Sequence, residues 1–363
     1  MIPRVLHVIA FPAIVIAAAT LSAQQPAPAW NVLIVTMDGL RWQEVFGGMQ
    51  QELLTKEAGG VRDAAILERR FGGATPEQRR EKLLPFFWTA VAAQGQVFGD
   101  ATRGSIARVT NGLRFSYPGY NELLSGFADP RVDSNDRVHN PNVTVLEWLH
   151  RKPAFAGRVA AFASWELLPW ILNQPRSRIP CNGEGPPIAE PDTDRERLLN
   201  AFAAALPPYW GATRFDAPTA FGAIEYLRKF KPRVLYVMLG ETDEWAHERR
   251  YDLYLDAAYR NDRFVRELWE AAQAMPEYAN RTALLLTTDH GRGETAADWS
   301  NHGREVPAAE RIWIAVTGAG VPHRGLRSGT AATQSQVAST VAALLGEDYV
   351  AAEPRAAPPL LLR

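Results

Sequence analysis

Val32-Leu33-Ile34-Val35-Thr36-Met37-Asp38 is an apolar run of strand length that ends on an acid. Its aliphatic residues show no polar alternation, so the run reads as a strand covered on both faces. Two later runs have the same form: Val234 to Leu239 precedes Asp243, and Ala283 to Thr288 precedes Asp289. Asp243 is followed by His247, and Asp289 directly by His290. In open α/β sheets ligands bind just beyond the carboxyl ends of the strands. Three strands therefore deliver hard oxygen ligands, with imidazoles beside them, to one rim.

Around these runs, strand-like segments at 31–37, 158–163, 233–239, 282–288 and 311–317 alternate with helical patterns. The helical patterns cover 76–94, 119–125, 144–151, 217–229, 249–274 and 334–345. Such alternation predicts a three-layer α/β/α sandwich with a mostly parallel central sheet. Two stretches break the pattern. Residues 44–75 carry Gly47-Gly48, Gly59-Gly60 and Gly72-Gly73, and residues 174–215 hold many of the prolines. Neither shows a core-forming pattern, so both are expected to be surface excursions near the site within one domain spanning 31–363.

The bulk properties exclude some classes. A formal net charge of −1 provides no global field for nucleic acid or an anionic membrane. The clusters Arg69-Arg70 and Arg79-Arg80 read as solvated helix surface. Arg4 precedes a mostly apolar stretch, Val5 to Leu21, that ends in small residues at Ser22-Ala23. Residues 1–23 read as a signal peptide and 24–30 as a linker, with an uncleaved anchor as the alternative. Pro12 and His7 argue against a permanent span, so a mature chain exported to the periplasm or beyond is expected. The single cysteine, Cys181, has no partner for an internal disulfide and no paired base nearby in sequence.

The chemistry starts with Asp243 and His247, which share a face if the segment is helical. Asp289 and His290 leave a strand end next to the flexible Gly291 and Gly293. His302 precedes the 311–317 strand, and the chain has only seven histidines. Imidazole with carboxylate is the ligand set of zinc and its neighbours, and three aspartates with three histidines suffice for two ions. Ser116, in Phe115-Ser116-Tyr117-Pro118-Gly119, precedes a short helical pattern. It reads either as a helix N-cap or as a nucleophile at a helix start, where backbone N–H groups also hold anions. A divalent cation beside the hydroxyl would make it reactive at neutral pH.

Taken in order from Asp38 to His302, these motifs resemble the alkaline phosphatase superfamily, particularly its nucleotide pyrophosphatase/phosphodiesterase-like branch. Gln336 to Gly346 resembles that family's closing helix. The resemblance implies an alkaline-phosphatase-like fold and two divalent ions, with zinc favoured and manganese the alternative. One ion would be held by Asp243, His247 and His302, the other by Asp38, Asp289 and His290, with Ser116 bridging toward it. Asn135 matches a phosphate-contacting asparagine, with Asn140 and Asn142 as alternatives. Arg114 and Arg292, with Trp165 and the 174–215 excursion, are expected to form the substrate walls.

The resemblance implies a phosphomonoesterase or phosphodiesterase acting on a small-molecule phosphate ester through a phosphoseryl intermediate. A sulfatase would carry an arginine four residues after a formylglycine, and position 120 is tyrosine. A phosphomutase or phosphotransferase would need a large domain between nucleophile and Asp-x-x-x-His, for which residues 127–242 are too few. A metal-stabilised binding protein is the non-enzyme alternative. No nucleic acid is expected as a structural partner.

Overall fold

The computed structural model describes Met1 and residues 30–362. The signal-peptide reading over 1–23 and the linker 24–30 lie, Met1 and Trp30 apart, outside the described residues. The strands are β1 (Asn31–Met37), β2 (Gln96–Phe98), β3 (Ile106–Arg108), β4 (Val159–Ala163), β5 (Cys181–Asn182), β6 (Val234–Leu239), β7 (Thr282–Thr287), β8 (Arg311–Ile312), β9 (Ile314–Gly318), β10 (Gly325–Leu326) and β11 (Ala331–Thr333). Eight of them form one sheet in the order β10-β2-β9-β7-β1-β6-β4-β5, and β11-β3-β8 form a small second sheet.

All seven residues of β1 are buried, as its continuous apolar run requires. Leu33 and Val35 join one core cluster, and Val32 and Ile34 join another on the opposite face. The helices Asp216–Phe230 and Tyr251–Gln273 contribute Ala223, Leu227, Leu255 and Leu268 to the first cluster. The helices Ser116–Ser125, Val145–His150 and Gln336–Leu344 contribute Leu123, Leu146 and Val341 to the second. Helices thus cover both faces of the central sheet. This is the expected three-layer α/β/α sandwich.

Register places the site. β1 pairs in parallel with β6 (Met37 opposite Leu239) and with β7 (Thr36 opposite Thr287). The three acid-ended strands therefore finish side by side at one edge. β9 is the exception in the sheet, antiparallel to both β7 and β2. A strand that runs backwards begins where its parallel neighbours end, so the connection between β7 and β9 stays at the same edge. That reversal brings His302 to the rim.

Three expectations need correction. The run 311–317 is divided at Trp313 between two sheets, because the Trp313 carbonyl accepts from Thr287 Oγ1 (2.6 Å) and its indole N–H donates to the Leu40 carbonyl (2.9 Å). The pattern over 76–94 is interrupted after Leu83, where Asp262 caps the N–H groups of Phe86 and Phe87, each at 2.8 Å. Residues 44–75 are not a coreless excursion. Short helices at Trp42–Gly47 and Ala64–Phe71 bury Val45, Phe46, Leu67 and Phe71 in the first core cluster. Helices this short show too few turns for their period to be legible.

Candidate metal centre and nucleophile

Asp38 and Asp289 leave adjacent strand ends and are both buried. Asp38 Oδ2 accepts from the Tyr120 hydroxyl (2.8 Å), and Asp289 Oδ1 accepts from the Gly39 N–H (3.1 Å). Their second oxygens, Asp38 Oδ1 and Asp289 Oδ2, have no hydrogen-bond partner among the described residues. Those two oxygens stand 3.4 and 3.5 Å from His290 Nε2. A buried carboxylate oxygen without a donor is expensive, and a divalent cation is one group that satisfies two of them beside an imidazole.

Ligand atoms of Asp38, Asp289 and His290 all lie within 4.8 Å of one another, as do those of Asp243, His290 and His302. His290 therefore belongs to both groups, standing 3.7 Å from Asp243 Oδ1. His247, on the helix Glu241–His247, completes the rim through Asp243 Oδ2 (3.1 Å) and His302 Nε2 (3.0 Å). The helical spacing of Asp243 and His247 is as expected. The grouping is more tightly interlocked than two separate triads.

The imidazoles are oriented by backbone carbonyls. His290 Nδ1 lies 3.0 Å from the Gly291 carbonyl and His302 Nδ1 lies 3.2 Å from the Arg114 carbonyl. A carbonyl only accepts, so each Nδ1 carries the proton and each Nε2 presents its lone pair to the centre. Burial holds both histidines below their ordinary pKa, and for His302 the neighbouring His290 and Arg292 add to it. Burial also pushes Asp289 up to about 7. Asp38 is raised well above the usual carboxylate range by burial and then by Asp289, against the pull of His290.

Ser116 is the first residue of the helix Ser116–Ser125, and its Oγ lies 3.4 Å from His290 Nε2. The N-cap is Phe115, which makes no side-chain cap, so the capping alternative for Ser116 falls away. The helix reaches the rim because of Gly119. A Cβ there would stand 2.4 Å from the Asp289 carbonyl oxygen, so only glycine permits this approach. Asn135 Oδ1 accepts from the Tyr117 N–H (2.9 Å), and Asn135 lines a pocket of about 180 Å³ with Asp38, Ser116, Asp243, His247 and His302. Asn140 and Asn142 lie elsewhere: Asn142 Nδ2 donates to Asn121 and Asp129, and its N–H donates to Asn140 Oδ1.

Both arginines depart from expectation. The Arg114 guanidinium turns to the 304–310 loop, donating to the Val306 carbonyl (3.1 Å) and facing Glu310, because a left-handed backbone (φ 59°) points it away from the pocket. Its carbonyl holds His302 instead. Arg292 is fully buried and does not line the pocket; it pairs with Asp243. Trp165 does line the pocket, with Thr213 from the 174–215 segment opposite it in an isolated bridge. Two larger clefts, of about 590 and 670 Å³, open along that segment but hold none of the candidate ligands.

Sequence reasoning gave no site role to Tyr120, which donates to Asp38 Oδ2, to Thr242, whose Oγ1 donates to the Asp38 carbonyl (2.6 Å), or to Gln334, which donates to the Asp289 carbonyl (2.8 Å). Tyr120 was within reach of the pattern, since it lies one helical turn beyond Ser116. Gln334 had no local signal.

No protein-family model and no curated protein matches the sequence. Solved structures match the fold. A variant of the alkaline phosphatase PafA superposes with a TM-score of 0.53 at 10% identity, covering 92% of this chain and 98% of its own. The fold is alkaline-phosphatase-like. The lipoteichoic acid synthase LtaP from Listeria monocytogenes gives 0.55 at 10% identity, over 88% of this chain and 72% of its own. An inactive form of murine ectonucleotide pyrophosphatase/phosphodiesterase 5, in complex with AMP, gives 0.51 at 13%, over 91% and 96%. Within the alkaline phosphatase fold, the rim described above is the carboxyl-terminal edge of the sheet, where such sheets hold ligands.

Proposed function

We propose that this chain is an exported, metal-dependent phosphoric ester hydrolase with Ser116 as nucleophile and a single catalytic domain over 31–363. The observation that carries the reading is the pair of orphaned carboxylate oxygens facing His290, with Ser116 Oγ 3.4 Å from the same imidazole. Asp38, Asp289 and His290 would hold one cation, and Asp243 and His302, with His247, a second. Bound divalent ions would acidify the Ser116 hydroxyl and an attacking water and balance charge on the phosphoryl oxygens. The ligand types suit zinc, with manganese as the alternative.

The chain's own groups supply the rest. Ser116 Oγ forms a bond to phosphorus as the bond to the leaving oxygen breaks; the leaving oxygen takes the bonding pair, and the Ser116 proton passes through solvent to it, so the alcohol is released. Water then attacks the phosphoserine, the Oγ–P bond breaks, and a proton returns to Oγ, so one water is consumed per turnover. Asn135, with its carbonyl oxygen engaged by the Tyr117 N–H, offers its NH₂ to a non-bridging oxygen. Ser116 at the helix start adds backbone dipoles of the sign an anion needs.

Among the described residues the pocket lining contains Glu244 and no lysine or arginine. A dianionic monoester would enter without a cationic side chain to receive its second charge. A singly charged diester fits better, so we propose a phosphodiesterase. Sulfate monoesters are also singly charged, but the fourth residue after Ser116 is Tyr120, which donates to Asp38 where a formylglycine enzyme would carry arginine.

Purified enzyme should contain divalent metal and turn over a bis-aryl phosphate faster than the matching aryl phosphate or aryl sulfate. Dominant sulfate turnover would overturn the substrate class. Ser116→Ala should lower turnover by at least roughly a thousandfold while keeping its metal. Retained activity would overturn the covalent step, and activity absent from the wild type on every ester would favour a metal-stabilised binding protein.

A further inference from the structure

Arg292 lies two residues after His290 and its side chain is fully buried, an unusual place for a guanidinium. Its Nη2 pairs with Asp243 Oδ1 and also donates to the Asp243 carbonyl (3.2 Å). Its Nη1 donates to the Ser300 carbonyl, two residues before His302. One planar fork therefore ties two segments that carry candidate ligands, the helix with Asp243 and the loop with His302, to its own turn, which carries His290. Its Nε has no hydrogen-bond partner among the described residues and lies against Gly39. A Cβ at Gly39 would stand 2.8 Å from that Nε and 2.8 Å from Asp243 Oδ1, at a left-handed φ of 59°. Gly39 thus clears the space that the guanidinium occupies, next to the ligand Asp38.

We propose that Arg292 is a positioning residue that locks Asp243, His290 and His302 into one metal-binding arrangement, and that Gly39 is its steric counterpart. The inference rests on the metal centre proposed above. It removes Arg292 from the substrate wall and gives it a role in holding ligands. A guanidinium suits this role because its donors are rigidly splayed and can serve Asp243 and Ser300 at once. A lysine keeps the charge but has a single ammonium on a flexible stem. Partners that fix ligating carboxylates typically govern metal affinity by roughly 10- to 100-fold.

The test uses metal alone, without substrate. Zn²⁺ affinity is measured by chelator competition and coordination by the Co²⁺ visible spectrum, for wild type, Arg292→Met, Arg292→Lys and Gly39→Ala. Arg292→Met should bind Zn²⁺ roughly 10- to 100-fold more weakly with an altered Co²⁺ spectrum, and Arg292→Lys should fall between it and wild type. Gly39→Ala retains the arginine but displaces it, and should show the same direction of loss, which keeps the test valid if Arg292→Met fails to fold. Wild-type affinity and spectrum in Arg292→Met would overturn the inference alone. So would a rise in affinity, the result expected if the guanidinium only neutralised Asp243. Absence of Zn²⁺ and Co²⁺ binding by the wild type would sink the metal centre and this inference with it.

Discussion

Two buried acidic clusters lie close together in this fold, one at the rim and one behind it. At the rim, Asp38 and Asp289 each keep an oxygen with no donor among the described residues. Behind it, Asp216 accepts from Ser164 Oγ (2.5 Å), the N–H groups of Gly240 (2.7 Å) and Glu241 (3.1 Å), and Asn261 Nδ2 (3.1 Å). Its neighbour Glu241 accepts from the Asp216 N–H (2.8 Å), Trp245 Nε1 (3.3 Å) and Arg260. Burial raises both Asp216 and Asp289 to about 7, so that shift does not tell these two acids apart. The hydrogen-bond accounting does: the inner cluster is closed by the chain, whereas the outer one keeps oxygens without a donor among the described residues.

The sharpest way to break that contrast is Asp289→Asn. It should reduce zinc affinity by well over roughly 100-fold and abolish turnover, while leaving the metal-free fold no less stable, since an amide removes a desolvated charge. Wild-type zinc content by elemental analysis would remove the distinction between the clusters. Asp216→Asn should do the reverse. Its NH₂ would face donors, costing about 2–4 kcal/mol in urea denaturation, with metal per chain unchanged.

A third effect concerns pH. Burial holds Asp289 at about 7 in the folded chain, above the ordinary aspartate value of 3.8. Between these values the folded state binds more protons than the unfolded state, so metal-free stability should fall as pH rises from about 4 to 7 and then level off. Asp216 and Asp262 contribute in the same direction. Asp289→Asn should make this slope shallower by at most about 1.4 kcal/mol per pH unit. Bound zinc should reduce Asp289's share, because a ligand must be deprotonated. An unchanged slope in denaturation of the metal-free variant would place the proton elsewhere.

The strand ends were legible because burial on both faces abolishes alternation, which leaves a plain apolar run stopped by a polar residue. The pairing of Asp243 with His247 was legible because helical spacing is local. The short strands β2, β5 and β10 were not, since two or three residues display no period. Arg114 and Arg292 misled for another reason. Closeness in sequence to a ligand says nothing about where a long side chain turns, and Arg114 turns away through one left-handed residue while Arg292 turns inward.

By itself the sequence determined the α/β class, the inventory of candidate ligands and their order along the chain. These depend on patterns within a turn or a strand, where backbone geometry imposes the period. Only the tertiary structure decided that His290 stands in both ligand groups, that Asn135 rather than Asn140 or Asn142 lines the pocket, and that Arg292 serves Asp243. Those facts depend on strand order and on the reversal of β9, which bring together groups as far apart as Gly39 and Asp289, 250 residues away. No local period encodes a contact over that distance.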